Sequence, residues 1–352
     1  MFKPAFNPEP PFTHGQAPRT AVLLCNLGTP DEPTAPAVRR YLAEFLGDHR
    51  VVEIPRVVWM AILHGIILRV RPAKSAAKYA TIWTDEGSPL IVLSKKMHEK
   101  VKTLVDIPVA LSMRYGTMTI LKGLQELHDK GVTEVLLFPL YPQHAMASTT
   151  TILELAEEHR KKYFPEMKFT IVPAFYNKPD YITSLGNSIK KHLEGYDYDH
   201  LLFSYHGIPE RHVRKGDLTK TTCVFGTCCD SITDKNHGCY RAQCHETTRL
   251  IAGKMGLKPG TYSTSFQSRL GRDPWLKPYT DEVIPNLVKA GKMKVLAFSP
   301  AFVADCLETT IEVGEEYKEL FEEAGGEHWQ LVESLNNSPE WVGILEDLVK
   351  KS

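Results

Sequence analysis

The sequence predicts an α/β protein made of two similar halves with parallel sheets, and three observations carry that expectation. Short apolar runs alternate with helical patterns along the chain, and strands alternating with helices imply parallel sheets. The pattern also restarts. Residues 22–30 align with 201–209 at an offset of 179, and Gly131-x-x-x-Val135-Leu136-x-Phe138 aligns with Gly291-x-x-x-Val295-Leu296-x-Phe298 at an offset of 160. Finally, both copies of the first motif end an apolar run in Gly-x-Pro, which is turn chemistry.

Composition sets the bounds. A chain of 352 residues is long enough for two domains, and 43% hydrophobic with 24% charged residues is ordinary globular material. Lys+Arg and Asp+Glu balance at 42 each, so no global field favours nucleic acid. Residues 1–20 hold no continuous apolar stretch and are not arginine-rich, so neither a secretory signal nor a transit peptide is expected.

In chain order, the first strand is 22–25, closing at Asn26-Leu27-Gly28-Thr29-Pro30. An apolar run at 57–68 follows, containing Trp59 and His64 and flanked by Arg56, Arg69 and Arg71. It is too short for a bilayer, which needs about 20 residues. It reads either as a buried helix or as an interfacial lip whose arginines meet lipid headgroups or an acidic ligand. Next come a helix at 88–105, a strand at 108–113 ending in Arg114-Tyr115-Gly116, and a helix at 118–130. A strand at 135–138 ends in Pro139-Leu140-Tyr141-Pro142-Gln143, before a helix at 152–162 and a strand at 169–172. The second half opens with a strand at Leu201, followed by a helix at 247–255 and a strand at 262–266. A helix at 281–290 and a strand at 295–298 complete it. The two offsets differ by 19 residues, so the first half carries an insertion, and 57–68 is its natural candidate. Two such halves would face each other across a cleft.

The chemistry concentrates in the second half. The run 200–209 stops at Ser204-Tyr205-His206-Gly207-Ile208-Pro209, and ligands of open α/β sheets sit just beyond strand C-termini. That is the position of His206, where the first half has Leu27. Dinucleotide binding is disfavoured, because the first βα turn has no G-x-G-x-x-G and no Walker sequence occurs. After the strand at 295–298, Glu308, Glu312 and Glu316 stack along one helix face. Like charges at this spacing repel. With Glu315, Glu319, Glu322 and Glu323 nearby, the row is either a solvated acidic face or a device for a cation or proton. A neutral imidazole opposite carboxylates suits divalent metal handling and proton removal.

Five of the seven cysteines crowd into residues 223–244, while Cys25 and Cys306 stand alone. In an intracellular enzyme such crowding suggests metal rather than disulfides. No C-x2-C pair is present, so zinc is one reading and a four-thiolate iron–sulfur cluster another.

The segments Ser204-Tyr205-His206-Gly207-Ile208-Pro209-Glu210-Arg211, Arg114-Tyr115-Gly116, Leu140-Tyr141-Pro142-Gln143, Asp273-Pro274-Trp275-Leu276, Leu307-Glu308-Thr309 and Glu333-Ser334-Leu335-Asn336 occur in the order seen in ferrochelatases. Over about residues 22–348 the chain resembles that family. The resemblance implies insertion of Fe²⁺ into protoporphyrin IX with release of two protons, the last step of haem synthesis. It implies two Rossmann-like domains, each with a four-stranded parallel sheet flanked by helices and with the porphyrin between them. The domains would be 1–178, with a membrane-facing lip at about 55–75 and the C-terminal helix 337–352 completing it, and 179–336, with a cysteine-rich insertion at 218–244.

By the same resemblance, His206 accepts a pyrrole proton or binds iron, with Glu308 as its carboxylate partner. Glu312 and Glu316 correspond to an acidic conduit for protons or metal. Tyr79, Arg114, Tyr115 and Trp275 fall where the family lines its pocket, and Arg71 and Lys74 where it meets porphyrin propionates. Cys306 departs from animal members, which carry a histidine there. The cysteine-rich segment resembles a bacterial class that holds a [2Fe–2S] cluster internally, the ligands being Cys223, Cys228, Cys229 and Cys239. Cys244 is the spare, since members without a cluster also have a cysteine there. The implied partners are protoporphyrin IX and a peripheral membrane contact, with a cytoplasmic location at the inner membrane and no nucleic acid. The oligomeric state stays open between monomer and homodimer. A coproporphyrin ferrochelatase, a chelatase for another tetrapyrrole or metal, and a non-catalytic haem- or metal-binding protein remain the alternatives.

Overall fold

The computed structural model describes residues 19–269 and 273–351. The expectation for the first twenty residues lies almost wholly outside them. Two four-stranded parallel sheets form the frame. The first comprises β1 (Thr20–Asn26), β2 (Val109–Met113), β3 (Glu134–Pro139) and β4 (Lys168–Ile171), in the order β2-β1-β3-β4. The second comprises β5 (His200–His206), β6 (Tyr262–Gln267), β7 (Lys294–Phe298) and β8 (His328–Val332), in the order β6-β5-β7-β8. The two orders are the same once the second set is renumbered, as a duplication requires. Gly131 and Gly291, paired by sequence, both take left-handed conformations (φ 72° and 79°) at equivalent helix ends.

Strands β1, β2, β3, β5 and β7 are buried on both faces, which explains their nearly continuous apolar runs. Val22 and Leu24 of β1 point to the same core as Leu201 and Phe203 of β5, so one apolar interior joins the two sheets. Ala21, Leu23 and Cys25 alternate to the outer face. That face is covered by α5 (Ile120–Asp129) and α6 (Thr151–Tyr163), and Leu202 points to the matching outer layer of the second half. Between the sheets lie α4 (Pro89–Lys102), α7 (Pro179–Leu193), α9 (Tyr240–Met255) and α12 (Pro339–Lys350), with α12 packed on both α4 and α7. Trp341 of α12 is fully enclosed in the shared core.

The 57–68 run is helical, with one side buried and the other an exposed apolar surface. It spans α2 (Arg56–Ile62), a π-helical turn (Leu63–Ile67) and the start of α3 (Leu68–Ile82), and lies against α1 (Ala35–Gly47). Trp59 is buried and its Nε1 donates to Leu46 O at 2.6 Å, while Leu63 is wholly enclosed. On the outer side Val57 is 85% exposed, and Val58, Ile66 and Val70 are more than half exposed. Pro72 sits inside α3, and its ring would clash with the carbonyl of Leu68. Leu68 relieves the clash with ψ near −5° at the end of the π turn.

One helix departs from expectation. The helix expected at 247–255 begins at Tyr240, so Cys244 lies inside α9 and is fully buried rather than part of a polar loop. Gln243, Thr247 and Thr248 are buried polar residues that break the apolar periodicity of its first turns.

Candidate active site

His206 is the last residue of β5, paired with Gln267 of β6. The next residue needs to be glycine. A Cβ at Gly207 would lie 2.7 Å from Gln267 O and 3.3 Å from the Trp275 ring, so Trp275 leans directly on this strand end. The His206 Nδ1 lies 2.6 Å from Gly207 O. A carbonyl only accepts, so Nδ1 is the donor of this contact and Nε2 is the ring nitrogen left for other partners. Phe302, in the loop after β7, meets the imidazole edge-on at 6.4 Å between centroids.

The three glutamates stand on a π-helical segment (Glu308–Glu316) that runs into α11 (Tyr317–Glu323). They do not form one wet face. Glu308 opens on the cleft beside Tyr79, Tyr41 and Cys306. Glu312 is turned inward, where Ser268 Oγ donates to Oε2 and the Tyr317 hydroxyl to Oε1 at 3.1 Å. Burial pushes the Glu312 carboxyl above its ordinary range and the Glu308 charge adds to this, against the opposing pull of Ser268, His206 and Tyr317. The same interactions tie His206, Glu308 and Glu312 into one electrostatic group. Glu316, at the outer end, is ion-paired with Lys78 of α3. The solvated reading fits Glu315, Glu319, Glu322 and Glu323, which are exposed, but not Glu312.

The cleft wall is kept neutral. Burial, reinforced by the Glu308 charge, pushes the Tyr79 phenol up. Burial does the same to the Tyr41 and Tyr141 phenols and to the Cys306 thiol. Neutral phenols around a carboxylate make an apolar, hydrogen-bonding surface for a flat hydrophobic ligand.

Arg114 and Tyr115 stand behind this wall. Arg114 donates to Asp48 Oδ2 at 2.5 Å and to Thr151 Oγ1 at 2.7 Å, and stacks over the Tyr115 ring at 4.3 Å. The Tyr115 hydroxyl donates to the same Asp48 oxygen at 3.0 Å, and its ring meets Tyr41 edge-on. Burial works against Asp48 ionising, yet the bonds from Thr151 and the Arg50 N–H, with the Arg114 charge, hold its carboxyl below the ordinary value. Arg71 and Lys74 are exposed on α3. Their spacing to Lys78 puts all three on one helix face. At the foot of the lip, Glu53 accepts from Arg211 Nε at 3.2 Å and Lys215 Nζ at 2.8 Å, tying it to α8 (Glu210–Gly216), the helix after His206.

The cysteines lie where a loop is bent on itself. Left-handed φ values at Lys220, Phe225 and Gly226 fold the segment, and a 3₁₀ turn (Thr227–Cys229) follows. That turn brings Cys228 Sγ and Cys229 Sγ to 3.7 Å, although adjacent residues of an extended strand point apart. Asn236 pins the loop by donating to Cys228 O and Ser231 O. The Cys229 thiol donates to Cys239, which drives Cys229 up and Cys239 down. Cys239 immediately precedes α9, and the backbone N–H groups of Ala242 and Arg241 favour its thiolate. All seven cysteines are free. Among the described residues no three His, Cys, Asp or Glu side chains already converge as a metal site. The donor chemistry nevertheless fits an anionic thiolate cluster, because the Arg241 guanidinium favours the Cys229 thiolate and its buried Nη1 has no acceptor among the described residues.

Strand-end reasoning pointed to His206 and Glu308 but passed over Tyr141, Phe302 and Ser268, each of which also follows a strand. Lys78, Tyr317 and Asp48 had no sequence signal of their own.

The duplicated parallel α/β frame has counterparts among solved structures. The fold matches SirB from Bacillus subtilis with Fe3+ (TM-score 0.52, 12% identity, 95% of each chain). It also matches the sirohydrochlorin chelatase SirB from Bacillus subtilis subspecies spizizenii in complex with cobalt (TM-score 0.53, 11% identity, 95% and 94% of the chains). The sequence narrows this. The ferrochelatase family model matches residues 19–352. The chain is 43% identical to a ferrochelatase of Coxiella burnetii over 95% of its length and 94% of the relative's. It is 45% identical to one of Ectopseudomonas mendocina, covering 94% and 98%. The chain belongs to the ferrochelatase family, and is a lyase that inserts iron into a porphyrin in haem synthesis.

Proposed function

We propose that the porphyrin is protoporphyrin IX and that His206 takes the pyrrole proton through Nε2. The observation that carries the role of His206 is the Nδ1–Gly207 O contact, which occupies Nδ1 and leaves Nε2 for the substrate, with the ring against Phe302 of the cleft lining. A planar porphyrin shields its nitrogens, so insertion needs a deformed ring, a proton acceptor and a metal stripped of water. Glu308 is the carboxylate partner at the ring, the inner end of the row along which iron arrives. Glu312, whose raised affinity for protons suits it to relay from His206, passes them outward past Glu316. Tyr79 and Trp275 form the walls, Arg114 and Tyr115 brace them through Asp48, and Arg71 and Lys74 meet the propionates.

The lip supports protoporphyrin over coproporphyrin. Protoporphyrin has two propionates and an apolar edge, and Val57, Val58, Ile66 and Val70 offer an apolar rim next to two cations. The same rim supports a peripheral contact with the cytoplasmic membrane face. Among the described residues no helix is long and apolar enough to cross a membrane. The domain division is 1–178 plus 337–352 against 179–336, with α12 packed on α4 of the first unit and on α7 of the second. Cys223, Cys228, Cys229 and Cys239 would hold a [2Fe–2S] cluster, which supplies a one-electron centre and a covalent staple for the loop.

The test is anaerobic iron insertion with proto- and coproporphyrin. His206→Ala should abolish turnover with the fold intact, and Glu308→Gln should cost more than tenfold, about 1.4 kcal/mol. Near-normal turnover in His206→Ala would remove it as the base, and faster insertion into coproporphyrin would overturn the substrate assignment.

A further inference from the structure

We infer that Tyr240 is a positioning residue for His206, clamping the peptide that orients its imidazole. The peptide unit joining His206 and Gly207 is held on both edges. Its N–H donates to Gln267 O at 2.7 Å, and its carbonyl accepts from the Tyr240 hydroxyl at 2.8 Å. The imidazole is fastened one step further along, through Nδ1 to Gly207 O. Tilting that peptide therefore swings both the ring and its anchor, and Nε2 moves with them. The Gln267 bond is ordinary ladder geometry, continuing the register of β5 with β6. The Tyr240 bond is not part of any ladder. It comes from a different element, the first residue of α9, across the interior between the sheets.

Tyr240 is itself well fixed. It is 8% exposed and packed in the shared core. Its hydroxyl faces a carbonyl, which only accepts, so it is the donor, and the enclosed Cys244 thiol sits against it one helical turn on. Cys239 is the preceding residue. The backbone that ends the cysteine-rich segment is thus the backbone that presents the clamp, and gives buried Cys244 a packing role apart from metal. The inference rests on His206 being the proton acceptor.

The test is Tyr240→Phe in the full chain with its metal content intact, compared with His206→Ala. The substitution removes one oxygen and keeps the ring, so the fold is retained. The expected result is a kcat at least tenfold lower, a KM for protoporphyrin within twofold, and unchanged iron, sulfide and visible spectrum. In porphyrin-free protein carrying ¹⁵N-labelled histidine, the His206 ring signals should shift. p-Aminophenylalanine at 240, which restores an N–H donor, should recover most of the lost kcat. Normal kcat in Tyr240→Phe with inactive His206→Ala would overturn the inference alone. Activity surviving in His206→Ala would instead remove the reading on which it rests. Loss of kcat that p-aminophenylalanine does not restore would also overturn it, marking Tyr240 as packing only.

Discussion

Lys78 of α3 is ion-paired with Glu316, the outermost carboxylate of the row that begins at Glu308. The side chains are 48% and 42% exposed, so the pair contributes at most about 1 kcal/mol to stability. Its larger effect is local potential, since a cation at the outer end of the row opposes metal entry. Lys78→Ala should shift Tm by no more than a degree or two. It should lower the KM for Fe²⁺ by roughly two- to fivefold at low salt, with the difference vanishing near 0.5 M, where the Debye length is only a few ångström. Steady-state rates under argon at two ionic strengths measure this; an unchanged KM at low salt would place metal entry elsewhere.

Glu312 makes the row pH-sensitive. Burial raises its proton affinity in the folded protein. Over the interval from the ordinary carboxylate value up to the raised one, the folded state holds a proton that the unfolded chain has released. Stability therefore falls as pH rises through that interval. Glu312→Gln removes the penalty, so the variant should melt above the wild type at pH 8 and close to it near pH 4. It should also lose roughly a hundredfold or more in kcat if the carboxyl relays protons. A variant less stable than wild type at pH 8 would show that the Ser268 and Tyr317 bonds outweigh the burial cost.

The exposed rim of the lip makes a separate prediction. Burying a valine or isoleucine fully is worth about 1.5–3 kcal/mol, so several partly inserted side chains suffice for reversible membrane binding. Val57→Glu and Ile66→Glu should each weaken binding to phosphatidylglycerol vesicles about tenfold. Because Val57 is 85% exposed, its Tm should hardly change. Vesicle co-sedimentation reads the first effect and calorimetry the second, and undiminished sedimentation would detach the rim from the membrane.

How far the sequence reached depended on whether a feature was local. The inner strands and their glycine-bearing ends were legible because parallel strands buried on both faces are apolar throughout, and a duplication repeats the signal; β8 was not, because polar, partly buried His328 and Gln330 flank Trp329 at its start. The first half of α9 was hidden because Gln243, Thr247 and Thr248 spend their polarity on tertiary partners. Gln143 Nε2, for example, donates to Thr247 at 3.1 Å across the interior. Arg114 was legible as a strand-end residue, but its turn towards Asp48 depends on where α1 ends, which no spacing reveals. The glutamate row is the clearest limit. Three identical residues at equal spacing meet a cleft, a buried hydroxyl pair and a lysine, and only the partners distinguish them. Ser268 reaches Glu312 from a left-handed backbone, φ 62°, with no glycine to announce it.

The cysteines give the sharpest chemical test. Cys228 and Cys229 are already 3.7 Å apart at sulfur, and Cys239 bonds to Cys229. Cys223 is held near them by Asp217, which accepts from its N–H at 2.8 Å. Cys244 differs in kind. It is fully enclosed in α9, and burial holds its thiol protonated. Serine at 223, 228, 229 or 239 should therefore remove iron, sulfide and visible absorbance together. It should also lower stability, because unpaired thiolates repel and the loop loses its staple. Cys244→Ser should keep the full spectrum. Its cost should be in packing alone, since a hydroxyl replaces a buried thiol beside Tyr240. Arg241→Gln should leave iron and sulfide in place but shift the reduction potential downwards, because a buried cation beside Cys229 favours the more negative, reduced state. Anaerobic purification with iron, zinc and sulfide analysis reads all of this. One zinc without sulfide would refute the cluster, and full iron content in Cys239→Ser would refute this set of ligands.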